Sequence, residues 1–423
     1  MIMFRRGLFY SYMSIYLRFF IGLSVTETTF YATFPMIINV LCQTFFWGNL
    51  SDKLQLRRTL IIIGELTAAV ITSLVWYVHI IPTSLRTAGY VLIIGMTIVE
   101  IFWSMSNVAW SALISDIYPE KQRTGLQGRL ASIGALGRFT GIIIGGLLYD
   151  GLSHYFDGWG FHSGVLFFIA SGMMALSTIP MFFVPEGGVK LFKDNGKMPN
   201  DNHAVPAIDN GSAAAMSRKF LVFLIAIIFL NFGINSITTL KSQYLTLSDG
   251  FAISSRVLSY ILGTGTAAIF AVGIIIKYLS KRFRDETLLF AGSMFAVLYL
   301  LGYVFSQHIG TIYISDFCNG TAMVIIMASS YSYASRLIPA QKRGRQFALF
   351  NAASFLSWGL ASTLITGPLV DHLIASGMSQ PSAYRMAFLT AASMVVLGTV
   401  ILIFNFRMNA VTSRVEKAPV PAR

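Results

Sequence analysis

Residues 47–62 read WGNLSDKLQLRRTLII, and this stretch decides how the rest of the chain is interpreted. A glycine, an aspartate and three cationic residues interrupt apolar sequence that continues on both sides. Unpaired charges are expensive in the hydrocarbon of a bilayer, at several kcal/mol each. The stretch is therefore expected to be a loop that joins two membrane-spanning helices.

The composition of the whole chain supports this interpretation. Of its 423 residues 55% are hydrophobic and only 12% are charged, about half the charged share of a soluble protein. Apolar runs of roughly 20 residues recur, each long enough to cross a bilayer as a helix. We therefore predict an all-α polytopic membrane protein.

Several classes of function are disfavoured by the residue content. The chain has two cysteines, both inside apolar runs, so no disulfide or metal-ligand framework is indicated. No phosphate loop or nucleophile–base pattern is found, and an enzyme is not expected. The formal charge of +13 indicates basic loops and contact with anionic lipid rather than with nucleic acid.

The predicted organisation has twelve spans in two groups of six. A polar insert at 185–218, rich in Gly, Pro, Asn and charge, is typical of a flexible linker. It separates a six-helix bundle at 1–184 from a second at 219–406, which a tail at 407–423 follows. The spans are predicted at 7–25, 29–50, 59–79, 88–115, 126–150, 162–184, 219–240, 254–278, 286–306, 309–335, 346–371 and 382–406.

The distribution of Lys and Arg predicts the orientation. Most of the 31 cations fall in alternate loops, both termini and the linker, and Arg5 and Arg6 belong to this set. By the positive-inside rule both termini and the loop at Trp47 are cytoplasmic. The opposite loops are assigned only five cations: Arg18, Arg86, Lys241, Arg256 and Arg385.

The two halves also resemble each other. Pro119 aligns with Pro339, Arg123 with Arg343 and Asp150 with Asp371. A repeated six-helix unit predicts two bundles related by a pseudo-two-fold axis, with a substrate site near the bilayer midplane. Aligning Tyr16 with Tyr244 predicts a first helix shortened at its cytoplasmic end.

At this point the chain resembles the major facilitator superfamily. The motif G-x-x-x-D-[RK]-x-G-x-[RK]-[RK] of that family is matched in the loop between helices 2 and 3, although Gln55 stands at the second glycine. The resemblance implies that these residues, with Asp116 and Arg123 from the next cytoplasmic loop, latch the cytoplasmic side of a transporter. The matching residues are Gly48, Asp52, Lys53, Arg57 and Arg58.

Helix 5 carries a second pattern, a series of glycines that resembles a motif of proton-coupled antiporters in this family. Ile142 replaces the proline of that motif. Glycines four apart also let two helix backbones approach closely, so packing alone is the alternative. The glycines are Gly128, Gly137, Gly141, Gly145 and Gly146.

Polar side chains inside the spans are the candidate substrate and coupling residues. Glu100 lies 16 residues before Asp116, and Arg138 lies 15 residues after Arg123. At about 1.5 Å per residue both reach one depth, so we expect an ion pair that either fixes packing or opens for a proton or substrate. Further candidates are Tyr12, Tyr16, Trp103, Asn107, Asn231, Asn235, Asp316 and Asn319.

These further candidates have structural alternatives. The alternative for each asparagine is an interhelical hydrogen bond instead of a contact with substrate. The alternative for Asp316 is a position at the outer membrane interface. Tyr303 is predicted to be an interfacial anchor. The resemblance implies that helices 1, 4, 7 and 10 line the cavity, which is why the polar clusters on these helices are grouped.

The functional expectation is secondary active transport of a small molecule by alternating access. The helix 5 glycines favour proton-coupled efflux of a small organic or amphipathic compound. Arg138 and the asparagines favour proton-coupled uptake of a sugar, carboxylate or other polar metabolite, and a non-transporting receptor on the same fold is a third alternative. We expect a monomer in the plasma membrane, in contact with lipid, with a proton or another coupling ion and without cofactor or metal.

Overall fold

The computed structural model describes residues 2–118, 120–188, 217–338 and 343–415. In these ranges the chain forms helices and turns, and it has no β-strand there. Ten of the helices formed by these residues are long and apolar enough to cross a membrane. The prediction of an all-α integral membrane protein is confirmed.

The first half of the chain contains eight α-helices within the described residues. Several run on without a break: π-helical turns extend the first helix over Tyr16–Phe20 and join α2 to α3 over Cys42–Trp47, and a 3₁₀ turn extends α8 over Ile179–Phe183. The helices are α1 (Ile2–Ile15), α2 (Val25–Leu41), α3 (Gly48–Leu54), α4 (Arg57–His79), α5 (Leu85–Ile117), α6 (Glu120–Leu148), α7 (Trp159–His162) and α8 (Val165–Thr178).

The second half also contains eight in the part that the structure describes. A π-helical turn over Ser362–Thr366 joins two of them into one long helical segment. The helices are α9 (Arg218–Ser236), α10 (Leu240–Thr246), α11 (Ser255–Arg282), α12 (Asp285–Phe305), α13 (Ile309–Leu337), α14 (Arg343–Ala361), α15 (Gly367–Ala375) and α16 (Gln380–Val415).

Local sequence accounts for where several helices begin. Ser84, Ser217 and Ser254 each precede a helix, and each hydroxyl accepts a hydrogen bond from the backbone N–H three residues further on. Serine is favoured at this position because its oxygen satisfies one of the N–H groups that the first turn leaves free. The apolar stretches between such caps then continue as helices across the predicted spans.

The chain divides into two compact units. Unit 1 comprises Met1–Leu23 and Phe34–Ala215, and unit 2 comprises Ser24–Thr33 and Met216–Arg423. In unit 1, α4 packs on α5 and α8, and α1 packs on α6. In unit 2, α13 packs on α11 and α12, and α9 packs on α14 and α16.

The segment Ser24–Thr33 departs from the predicted boundary at the linker, because the first part of α2 belongs to unit 2. The carboxylate of Asp371 accepts hydrogen bonds from the backbone N–H groups of Val25 (2.9 Å) and Thr26 (2.8 Å). The hydroxyl of Thr363 lies 2.8 Å from that of Thr29. The acidic group caps the positive end of the helix dipole, which stabilises this attachment.

Candidate functional site

Unit 1 contains a buried ion pair at Glu100 on α5. Its Oε2 accepts a hydrogen bond from Arg5 at 3.1 Å, and its Oε1 accepts one from the Asn39 amide at 2.9 Å. Gln43 in turn donates to Asn39. Both charged side chains are almost completely excluded from solvent, so removing either would leave an uncompensated charge at a cost of about 3–5 kcal/mol.

An aromatic ring adjoins this pair. The guanidinium carbons of Arg5 and Arg6 lie 5.4 and 5.1 Å from the centre of the Trp103 ring. Cations at this distance from an indole face are attracted by the ring quadrupole. Trp103 is one turn from Glu100 on α5, so these two residues share a face of the helix as predicted. We call Arg5, Arg6, Glu100 and Trp103 the cationic cluster.

The basic partner of Glu100 differs from the one predicted. We expected Arg138, but the carboxylate contacts Arg5, which the sequence had assigned to the cytoplasmic terminus. Only 4% of Arg5 is exposed, because its side chain packs against Glu100 and Trp103 inside unit 1. The backbone of Arg138 instead packs on Gly7 of α1, where its carbonyl oxygen occupies the space a Cβ would need.

Tyr12 and Tyr16, the predicted contributions of helix 1, are packed inside unit 1. The Tyr12 hydroxyl donates to the carbonyl of Ile142 at 2.9 Å. The Tyr16 hydroxyl lies 3.3 Å from Nε2 of His79. The structure thus places Tyr12 in an interhelical bond to α6 and Tyr16 next to His79 of α4.

Unit 2 contains its own buried ion pair. Nζ of Lys241 lies 2.7 Å from Oδ1 of Asp316, and the hydroxyl of Tyr303 donates to Oδ2 of the same carboxylate. The ammonium group also lies 5.7 Å from the centre of the Tyr299 ring. Asp316 is 1% exposed. This cluster combines α10, α12 and α13.

Three expectations about this cluster are corrected. Asp316 is not at an interface with water, and Lys241 is not a loop residue, since it is 8% exposed within α10. Tyr303 is fully buried and hydrogen-bonded rather than an interfacial anchor. The common reason is that Lys and Tyr can accompany a buried carboxylate, a role that hydropathy along the chain does not reveal.

Two of the four candidate asparagines form interhelical hydrogen bonds. The amides of Asn231 and Asn235 donate to Ser354 at 3.3 Å and to Ser357 at 2.9 Å, and both bonds join α9 to α14. Interhelical bonds of this kind were the alternative that the sequence allowed. Oδ1 of Asn319 is buried and has no partner among the described residues. Asn107 is partly buried on α5.

The predicted gating residues of the loop after α3 gather around Arg57. Its guanidinium lies 3.1 Å from Oδ1 of Asp52 and 3.5 Å from Oδ2 of Asp116, and it also donates to the Ser51 hydroxyl. The Arg57 side chain is 6% exposed, whereas that of Asp52 is 78% exposed. Asp52 is therefore the solvent-exposed member of this network, and Asp116 is the more buried carboxylate.

The remaining gating residues lie around this network. Gly48 begins α3, and Lys53 is exposed near its end. A Cβ on Gly48 would lie 3.0 Å from the carbonyl oxygen of Gln43. The side chain of Arg123 lies outside those that the structure describes.

Gln55, which departs from the family motif, adopts the backbone conformation that the missing glycine would favour. It ends α3 with φ 56° and ψ 22°, in the left-handed region. A side chain in that region costs roughly 1 kcal/mol relative to glycine. The Gln55 amide donates to the carbonyl of Asp52 at 2.7 Å, which offsets part of that cost. The turn keeps its shape without the glycine.

The start of the predicted flexible linker is docked on the gating loop. Oε2 of Glu186 lies 3.1 Å from Nε of Arg58, and its carboxylate also accepts bonds from the backbone and hydroxyl of Thr59, both at 3.0 Å. The N–H of Gly188 donates to Asp116 at 2.9 Å. Residues 186 and 188 thus bond to the network around Arg57 and Arg58, and 189–216 lie outside the described residues.

Two of the helix 5 glycines are explained by close packing on α1. A Cβ on Gly141 would overlap the carbonyl oxygen of Phe4, and one on Gly145 would lie 2.7 Å from the Tyr12 ring. Gly137 also faces Phe4. Gly146 lies on the same helix. Gly128 is in a stretch of which only the backbone is described.

The chemistry available to these groups is binding and ion pairing. Among the described residues, no group of three or more His, Cys, Asp or Glu side chains is placed to hold a metal ion. Each unit instead contains a buried carboxylate that pairs with a basic side chain beside at least one aromatic ring. Buried charges inside membrane helices mark substrate or ion pathways in transport proteins.

Known proteins with similar sequences and structures are transporters. An uncharacterized MFS-type transporter of Bacillus subtilis (strain 168), YxiO, is 25% identical over 322 residues, which cover 73% of this chain and 71% of YxiO. A bacterial homologue of the human lysosomal transporter Spinster, in an inward-facing and unoccupied conformation, matches with a TM-score of 0.70 at 13% identity over 99% of this chain and 96% of the homologue.

A second solved structure, the nucleoside transporter NupG, matches with a TM-score of 0.71 at 12% identity over 96% of both chains. At these identities the two solved structures show a shared fold. The family model of the Major Facilitator Superfamily matches residues 1–362, most of the chain. The chain therefore belongs to the Major Facilitator Superfamily of membrane transporters, as its gating motif indicated.

Proposed function

We propose that this transporter moves a small polar solute by alternating access and couples that movement to a proton. The observation that supports this most is the buried pair of Lys241 and Asp316 in unit 2, with Tyr303 bonded to the same carboxylate. These three groups form a compact site at which a proton can replace an ammonium partner. The proton would bind the carboxylate of Asp316.

The energetics of the pair provide the coupling. Protonation of Asp316 would leave Lys241 as a lone buried charge, which costs about 3–5 kcal/mol. The cost is avoided only when Lys241 gains water or a new anionic or polar partner. Uptake of a proton and binding of a solute or water are therefore tied to each other, as coupled transport requires.

A polar solute fits the structure better than an amphipathic one. Each unit contains a buried ion pair. Ionisable residues inside membrane spans cost free energy, and where they occur they usually serve binding or coupling. Of the helix 5 glycines, which favoured efflux of an amphipathic compound, Gly141 and Gly145 also have an explanation in their close packing on α1. Efflux and uptake would use the same ion pair, so the proposal leaves direction to experiment.

The coupling is tested in vesicles that contain the purified protein and the pH dye pyranine. Solutes from four classes are added: monocarboxylates, sugars, nucleosides (since NupG is a nucleoside transporter) and a hydrophobic dye. We expect one polar class to produce a proton flux, and an imposed pH gradient to drive accumulation of that solute. Asp316→Asn should abolish the gradient-driven accumulation yet retain solute exchange between the two sides.

The matched control is Asp249→Asn, which removes an exposed carboxylate from the turn after α10. This variant should behave as the wild type. Solute movement without a proton flux, or an Asp316→Asn protein that still follows the pH gradient, would show that the pair does not couple protons. Movement of the hydrophobic dye alone would favour amphipathic efflux, and no movement of any class would favour a receptor.

A further inference from the structure

The cationic cluster in unit 1 has more positive charge than its ion pair uses. Both oxygens of Glu100 are occupied, one by Arg5 and the other by Asn39. The guanidinium carbon of Arg6 lies 5.1 Å from the centre of the Trp103 ring. No ion pair between Arg6 and a carboxylate is found among the described residues. Within that part of the chain, the guanidinium charge of Arg6 has no anion.

Arg6 and Trp103 each also have an unused hydrogen-bond donor. Nε1 of Trp103 and Nε of Arg6 are both buried, and neither has a partner within the part of the chain that the structure describes. Trp103 is 4% exposed. Leaving a buried donor unsatisfied costs about 1–3 kcal/mol, so such a group in a folded protein calls for a ligand, water or functional explanation.

Glu65 is the other acidic group in the neighbourhood, and it does not fill this role. It is 3% exposed on α4, and the charged groups that act on it include Arg5 and Glu100. Its Oε2 makes no hydrogen bond to any residue in the described ranges. An internal carboxylate that satisfied Arg6 would show a contact, and Glu65 shows none to this arginine.

We propose that Arg6 and the indole N–H of Trp103 bind the carboxylate group of a small monoanionic solute. A guanidinium presents a planar fork of donors that matches the two oxygens of a carboxylate, and an indole adds a single donor. One unneutralised cation favours one negative charge. Arg6 is only partly buried, which leaves its side chain partly accessible to a solute, whereas Trp103 is buried.

This inference rests on the proposed function, because it names the class of solute that the transporter carries. Its test is a binding measurement on the purified protein in detergent, which needs no transport. Formate, acetate, propionate and benzoate are compared with formamide, acetamide, propionamide and benzamide at equal ionic strength. The amides have nearly the same shape without the charge, so they separate recognition of an anion from general effects of a solute.

We expect at least one carboxylate to raise the melting temperature in a concentration-dependent way, while its amide does not. Arg6→Gln should raise the Kd of that carboxylate roughly tenfold or more, the loss expected for a charge-assisted hydrogen bond. Trp103→Phe keeps the ring and removes the donor, and it should raise the Kd roughly threefold to tenfold. Arg256→Gln, which removes an exposed arginine at the start of α11, should leave the Kd unchanged.

If Arg6→Gln does not fold, Arg6→Lys replaces it, since lysine keeps the charge and loses the fork. The proposal is wrong if no carboxylate in the series stabilises the protein more than its amide does. It is equally wrong if the Arg6 variant binds with the wild-type Kd. Binding without transport would overturn the proposed function alone, and proton-coupled transport of neutral solutes without carboxylate binding would overturn this inference alone.

Discussion

At the scale of single residues, the gating loop shows how two similar aspartates can have different roles. Asp52 and Asp116 both contact Arg57, but 78% of the Asp52 side chain is exposed, against 23% for Asp116. An exposed ion pair contributes only about 0–1 kcal/mol to stability. Asp116 also accepts the N–H of Gly188 and so holds the linker start in place.

Asp52→Asn should therefore lower the melting temperature of the protein by little, and transport should fall at least tenfold if Asp52 acts as a latch between states. Asp116→Asn should lower both. The measurement pairs thermal unfolding in detergent with flux of the solute that the pyranine assay identifies. Normal flux through the Asp52→Asn protein would rule out a latch at this residue.

At the scale of helices, the contact of α1 with α6 depends on the absence of side chains. Gly7 on α1 faces the Arg138 carbonyl, and Gly141 on α6 faces the Phe4 carbonyl. Each approach is this close because the residue that faces the partner's carbonyl oxygen is a glycine and has no Cβ. The arrangement also positions Arg5 and Arg6, because their helix is held at a single depth against α6.

Gly141→Ala is expected to destabilise the protein by about 1–3 kcal/mol, since the neighbouring atom is backbone and cannot rotate away. The matched control is Gly172→Ala on α8, where a Cβ meets nothing within 4 Å. That change should be neutral or stabilising by up to about 1 kcal/mol, because alanine is the better helix former. Equal melting temperatures for the two variants would show that the close approach is unimportant.

At the scale of the whole molecule, the membrane orientation is predicted from the distribution of charge. The structure buries one cation from each of the two predicted sets. Arg5 was counted on the cytoplasmic side and Lys241 on the opposite side. The excess of Lys and Arg in the alternate loops is unaffected. We therefore still expect the loop at Lys53 and both termini to be cytoplasmic.

Cysteine labelling in intact cells checks this orientation. Cys42 and Cys318, both free thiols, are first replaced by alanine. A maleimide that cannot cross membranes should then label Asp249→Cys and leave Lys53→Cys unlabelled until the cells are permeabilised. Both positions are exposed in their units, so access to the reagent depends on the side of the membrane. The reverse pattern would refute the predicted topology.

The sequence by itself determined the class of protein, the family and the approximate position of the helices. Those features depend on apolar length, loop charge and a local motif, which are all contiguous in the chain. Even the departure at Gln55 occurs within a local turn, whose left-handed conformation the family motif anticipates. The candidate carboxylates Glu100 and Asp316 were likewise recognisable, because any ionisable residue in a span stands out.

Only the tertiary structure decided which groups these carboxylates contact. Arg5 is 95 residues from Glu100, and Lys241 is 75 residues from Asp316. Such pairs depend on how each helix is rotated and at what depth it packs. A one-dimensional charge count assigned Arg5 to a terminus and Lys241 to a loop. The docking of Glu186 on Arg58 was hidden for the same reason, since a polar linker composition says nothing about which of its residues find a partner.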